Sequence, residues 1–156
     1  MQRKQTGLIG SHPTTSPAAA DEQLLTAMQE AAAWLDSAHP GWVIFGSAAL
    51  WLNGMENASP HDIDILVPNP DDSDATWDEG PLFRSRRRTK RCMKGIEVDV
   101  SEGLEIWREG RWMPVTVNDV VCRDGLRYAS LPDCIRLLHL FDRPKDRDRL
   151  RRLFPD

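Results

Sequence analysis

The chain has no lysine or arginine between Lys4 and Arg84. Residues 1–80 hold two basic side chains against twelve acidic ones, a formal charge of −10, while residues 81–156 hold eighteen against twelve, +6, giving the overall −4. Such polarity is compatible with simple solvation, and it also suits a site where cations and anionic groups meet. Long apolar runs are missing too. No stretch approaches the roughly 20 residues of a membrane helix, and no apolar run near the start serves as a signal-peptide core. The expectation is a cytoplasmic protein with no membrane partner. Cysteine is sparse: Cys92, Cys122 and Cys134 are odd in number, spaced by 30 and 12 residues. That excludes the close pairing of a zinc knuckle or redox motif and implies reduced, packed thiols.

Enough remains to build a core. Hydrophobic residues make up 40% of the 156 residues and six are Trp, which fits one folded domain and excludes a disordered tail. Residues 1–20 lack apolar periodicity and read as a flexible arm, leaving 21–156 as a single domain. Asp21 is placed to cap a helix over 21–36 whose stripe is Leu24, Met28, Ala31 and Leu35. The apolar run 42–45 between Gly41 and Gly46 predicts a buried strand, and 47–53 predicts a helix closed by Gly54. Residues 62–67 alternate into Pro68 and Pro70, a second strand with a hard stop.

An acidic loop over 71–79 precedes seven basic residues in the eleven from Arg84 to Lys94. The Lys94-Gly95 turn makes that run one arm of a hairpin with 96–100, with Arg86, Arg88 and Lys90 on one face. Solvated edge protection, a phosphate or nucleic-acid stripe and a partner surface all fit it. Glu109-Gly110 and Asp124-Gly125 mark further hairpins, and two helices close the chain, the last started by Pro144. The fold expected is α+β: a small mixed sheet flanked by helices, with extra hairpins.

Asp62 and Asp64, two apart on a strand, project from one face about 6–7 Å apart. Their repulsion needs a cation or a proton, and hard oxygen donors suit Mg²⁺. Asp99, in the alternating segment 96–100, supplies a third carboxylate from another strand. Gly46 and Ser47 sit between strand and helix, where a glycine admits close approach and unpaired amides attract phosphate. Ser47 also fits as a helix cap. Lys145 either reaches this site or pairs with a nearby carboxylate. His61 reads as a surface histidine, and Trp51, Trp107 and Trp112 as core.

Gly46-Ser47, a short helix ending at Gly54, Asp62-Ile63-Asp64 and later Asp99 resemble the signature of the nucleotidyltransferase superfamily that includes polymerase β. The segment through Asp62-Ile63-Asp64-Ile65-Leu66-Val67, with closing helices at 131–137 and 143–150, is most similar to the small bacterial branch related to abortive-infection toxins. The resemblance covers roughly residues 22–154 and implies transfer of a nucleoside monophosphate from a triphosphate such as ATP to a hydroxyl of a protein, tRNA or small molecule. It implies two Mg²⁺ ions held by Asp62, Asp64 and Asp99, with Gly46, Ser47, Arg86 and Arg88 on the nucleotide. Asp99 is also placed to take the acceptor's proton. Two departures motivate a second reading. The loop 56–61 lacks the Arg that this branch often carries, and Leu138 stands at its usual Lys position. The alternative is a catalytically silent module binding a partner protein or nucleic acid, within a toxin–antitoxin system. In either case a triphosphate at the first half needs metal ions, or the basic second half folded over it.

Overall fold

The structure, a computed structural model, describes residues 17–69 and 76–155. Helix α1 spans Pro17–Ala38, so it starts inside the expected arm and Asp21 caps nothing. Proline's fixed φ suits a first helical turn and Ala18, Ala19 and Ala20 extend it at little entropic cost. The rest of that arm, 1–16, lies outside the described residues. Leu24, Met28, Ala31 and Leu35 are buried as the stripe requires.

Strand β1 is Val43–Phe45, helix α2 is Gly46–Leu52 and β2 is Asp62–Val67, with a 3-10 turn Glu56–Ala58 between the last two. Next come β3 Asp78–Glu79, β4 Phe83–Ser85, β5 Arg87–Met93 and β6 Ile96–Glu102, so the acidic segment ends as a short strand and its part over 71–75 lies outside the described residues. Strands β7 Glu105–Arg108, β8 Arg111–Pro114, β9 Val120–Arg123 and β10 Leu126–Ala129 precede helices α3 Leu131–Phe141 and α4 Pro144–Leu153. Three hairpins turn where the sequence places them. Lys94-Gly95, Glu109-Gly110 and Asp124-Gly125 each put two consecutive residues at φ between 52° and 80°, the double positive φ of a two-residue hairpin turn.

The strands form two sheets, a six-stranded β5-β6-β2-β1-β10-β9 and a four-stranded β3-β4-β7-β8. In the larger one β2 runs parallel to β6 and antiparallel to β1. Its period-2 alternation sorts side chains onto two faces. Ile44, Ile63, Ile65, Val98 and Val100 join α1 in one core, while Val43, Phe45 and Leu66 join Leu104, Ile106 and Phe141 in another. Asp62 and Asp64 therefore fall on the second face, at the end where Leu66 no longer supplies apolar cover.

The basic run is not one strand. It breaks at Arg86, with β4 in the small sheet and β5 at the edge of the large one. Phe83 causes the break: its ring meets Phe141 edge-on, centroids 5.0 Å apart, and it pairs with Ile106 across β7, which pulls β4 toward the second core. Among the described residues no helix is long and apolar enough to cross a membrane.

Candidate active site

Strand register brings the carboxylates together. Asp64 lies opposite Asp99 across the parallel β2·β6 ladder and opposite Phe45 in β1. Neighbouring strands stand about 4.8 Å apart, so the two aspartates sit side by side on one face, with Asp62 one pleat further along β2. Burial pushes the Asp64 carboxyl up from 3.8 to about 7, helped by Asp62 and then Asp99, and opposed by Lys145 and Arg143. Three acidic groups so placed are stable only with a proton or a cation among them.

Gly46 opens α2 directly over this pair. Its φ is +72°, and a Cβ built there would come within 3.1 Å of Asp64 Oδ2. The positive φ favours glycine, and a side chain there would crowd Asp64. Ser47 follows it on the wall of the same cleft, and no side chain caps the start of α2. The structure thus joins Gly46, Ser47, Asp62, Asp64, Asp99 and Arg88 along one open cavity of about 750 Å³. His61 lines it too. Glu97 does not; it is exposed and pairs with Lys90 at 3.6 Å.

Arg88 and Arg86 part company. Arg88 Nη2 donates to Asp99 Oδ2 at 2.5 Å, and this bond raises the guanidinium's pKa. Arg86, just before β5, lies instead over the Trp77 ring, 3.9 Å from its centroid, and is not among the cleft's lining residues. Arg88 and Lys90 share a face of β5 as expected, and Arg86 does not join them because the strand breaks at Arg86. Trp51 packs against the main core. Trp107 is not core: it is 41% exposed and meets Trp112 edge-on.

Helix α4 supplies what the first half of the sequence lacks. Arg143, Lys145 and Arg149 line the cleft. Asp146, 4% exposed, fixes the helix start by accepting from Arg143 Nε at 2.5 Å, Nη2 at 2.9 Å and the Arg143 amide at 3.1 Å. Burial lowers the Arg149 pKa, with the nearby Arg152 adding to it. Arg143, Arg149 and Asp146 had a weak sequence signal, the i, i+3 Arg-Asp pair around Pro144. Nothing in the spacing says which face of α4 meets the cleft.

The fit to Mg²⁺ rests on the donors. Asp62, Asp64 and Asp99 offer only hard oxygens, and Asp99 Oδ1 is buried with no hydrogen-bond partner. Against this, no group of three or more His, Cys, Asp or Glu among the described residues is arranged to hold a metal ion. Arg88 holds one oxygen of Asp99 there, so the three carboxylates suit Mg²⁺ in donor type and not as an arranged cluster.

Comparison with solved structures finds a Thermotoga maritima protein provisionally described as a nucleotidyltransferase, at a TM-score of 0.64 and 20% identity over 84% of this chain and 92% of that one. The chain shares that protein's fold. No protein-family model matches it. No curated protein matches either. At this identity the likeness carries the fold, without the abortive-infection branch.

Proposed function

We propose that the protein is a Mg²⁺-dependent nucleotidyltransferase that moves a nucleoside monophosphate from a nucleoside triphosphate to a hydroxyl acceptor, in the cytoplasm. The observation that carries this reading is the Asp64–Asp99 register, with Asp62 beside it, at the floor of a cleft whose rim is basic. Bound Mg²⁺ would neutralise the triphosphate and lower the acceptor hydroxyl's pKa. Asp62 and Asp64 would hold the ion that carries the triphosphate, and Asp99 would complete the site for a second one. Asp99 would also take the acceptor proton. Gly46 lets the backbone approach Asp64 closely, Ser47 would offer its hydroxyl and amide to phosphate, and Lys145 and Arg88 would add positive charge along the cleft. Arg86 joins them only if it leaves Trp77.

Incubation with labelled triphosphates, Mg²⁺ and protein, tRNA or small-molecule acceptors should give label transfer that Asp64→Ala abolishes. Transfer that survives this substitution overturns the site. A second reading, a silent nucleotidyltransferase-fold module that binds a partner protein or nucleic acid, is favoured by the Arg88 contact that takes one oxygen of Asp99. Calorimetry separates the two, since a silent module shows no Mg²⁺-dependent triphosphate binding. A toxin–antitoxin role draws no support from the fold.

A further inference from the structure

Arg88 stands on β5 opposite Ser101, and Lys90 is the residue opposite Asp99. Yet Lys90 pairs with Glu97 at 3.6 Å, and Arg88 reaches diagonally to Asp99. The pair is asymmetric. Asp99 is 15% exposed at its side chain, Arg88 44%, so the carboxylate is fixed in the cleft floor while the guanidinium sits at the rim of a solvent-open cavity. Asp99 uses one oxygen on Arg88 and leaves the buried one without a partner.

A divalent ion and a guanidinium against one partly buried carboxylate repel each other with weak screening, so each loosens the other's hold on Asp99. Yet Arg88 cannot simply leave: vacating Asp99 gives up a charge-assisted hydrogen bond and sets Asp99 unopposed beside Asp64 and Asp62. A phosphate chain changes this balance. It offers Arg88 a new anionic partner with paired oxygens, on the wall of the cleft where Arg88 already stands.

From this geometry we infer that Arg88 is a built-in counter-ion which keeps free divalent metal off Asp99 and yields that carboxylate when a metal–triphosphate complex takes over the guanidinium. Metal and nucleotide then bind with positive coupling and the empty site does not load metal alone. The inference rests on the proposed function, whose site and ligands it uses. Arg88 is thus a positioning residue for Asp99 as well as a contact for phosphate. A simple phosphate-binding arginine predicts something different, namely no effect of its removal on metal binding without nucleotide.

The test titrates Mn²⁺ by electron paramagnetic resonance into the whole protein, with and without a non-hydrolysable triphosphate, for wild type, Arg88→Gln and Arg88→Lys. Wild type should bind Mn²⁺ about tenfold or more tightly with nucleotide than without it. Arg88→Gln should bind Mn²⁺ alone about tenfold more tightly than wild type, and nucleotide should add little to that. Arg88→Lys keeps the charge and should stay closer to wild type, which guards against a folding defect in the glutamine variant. Equal Mn²⁺ affinity of wild type and Arg88→Gln without nucleotide overturns the inference while leaving the proposed function intact. Absence of Mn²⁺ binding in all three proteins, nucleotide present or not, removes the proposed function beneath it.

Discussion

Replacing Asp64 by Asn should remove a loss of stability that the wild type suffers as pH rises. The folded protein holds a proton on Asp64 up to about pH 7, against an ordinary value of 3.8. Stability from that proton is fully present below 3.8 and is lost as pH rises through about 7, because in between only the folded state keeps it. Each pH unit across that window removes about 1.4 kcal/mol. From about pH 5 to just above 7 the wild type should lose about 2–3 kcal/mol at this site, once partial solvent screening is allowed for. The amide of the Asp64→Asn variant carries no charge and avoids the loss. Urea unfolding followed by tryptophan fluorescence, in chelator and across this pH range, isolates the effect as the difference between the two proteins, since other titrating groups act in both. The variant should gain on the wild type with rising pH and level off above about 7.5, and thermal unfolding should show the same gain as a Tm difference of roughly 5–10 °C. Asp99→Asn, which removes one repelling neighbour, should shorten the sloping window. Parallel curves for wild type and Asp64→Asn, within about 0.5 kcal/mol throughout, would refute the carboxylate crowding from which the cation site is argued.

Gly46→Ala should destabilise the fold by about 1–3 kcal/mol, since it forces a side chain to φ +72° against Asp64, and should weaken triphosphate binding in calorimetry. Stability and affinity both equal to wild type would count against close packing there. Lys145→Ala should raise the Asp64 pKa further, because Lys145 is the foremost group holding it down; a carboxyl carbon NMR titration reads this, and a downward or absent change would place Lys145 outside the site.

Much of the fold was legible because its signals are local. Lys94-Gly95, Glu109-Gly110 and Asp124-Gly125 name their hairpins through residues that tolerate positive φ, and Gly46 and Gly54 bracket α2 for the same reason. The period of Asp62-Ile63-Asp64-Ile65 fixed which side chains share a face. Nothing local marked the break at Arg86, because it depends on Phe83 meeting Phe141, 58 positions away in the chain. The small sheet that follows from that contact was visible only as separate hairpins. The start of α1 was misplaced since the capping signal at Asp21 competes with a proline and three alanines that already favour the helix.

At the site the same division holds, and it explains the charge asymmetry. Strand period could put Asp62 with Asp64, but only tertiary register sets Asp99 level with Asp64. An acidic first half then needs cations from elsewhere, and the chain delivers them in two mechanically different ways. At the start of helix α4, Arg143 is tied to buried Asp146, so that charge is fixed in place, and Lys145 follows it along the cleft. Strand β5 carries Arg88 at an exposed rim, bonded to the very carboxylate a metal would use. A fixed cation lowers the cost of anionic charge at all times, whereas one tied to Asp99 does so only until something better arrives. The absence of basic residues between Lys4 and Arg84 therefore leaves the occupancy of Asp99 to be decided by a single side chain, Arg88. The pH response of Asp64 and the metal response of Arg88 variants probe the two halves of that arrangement separately.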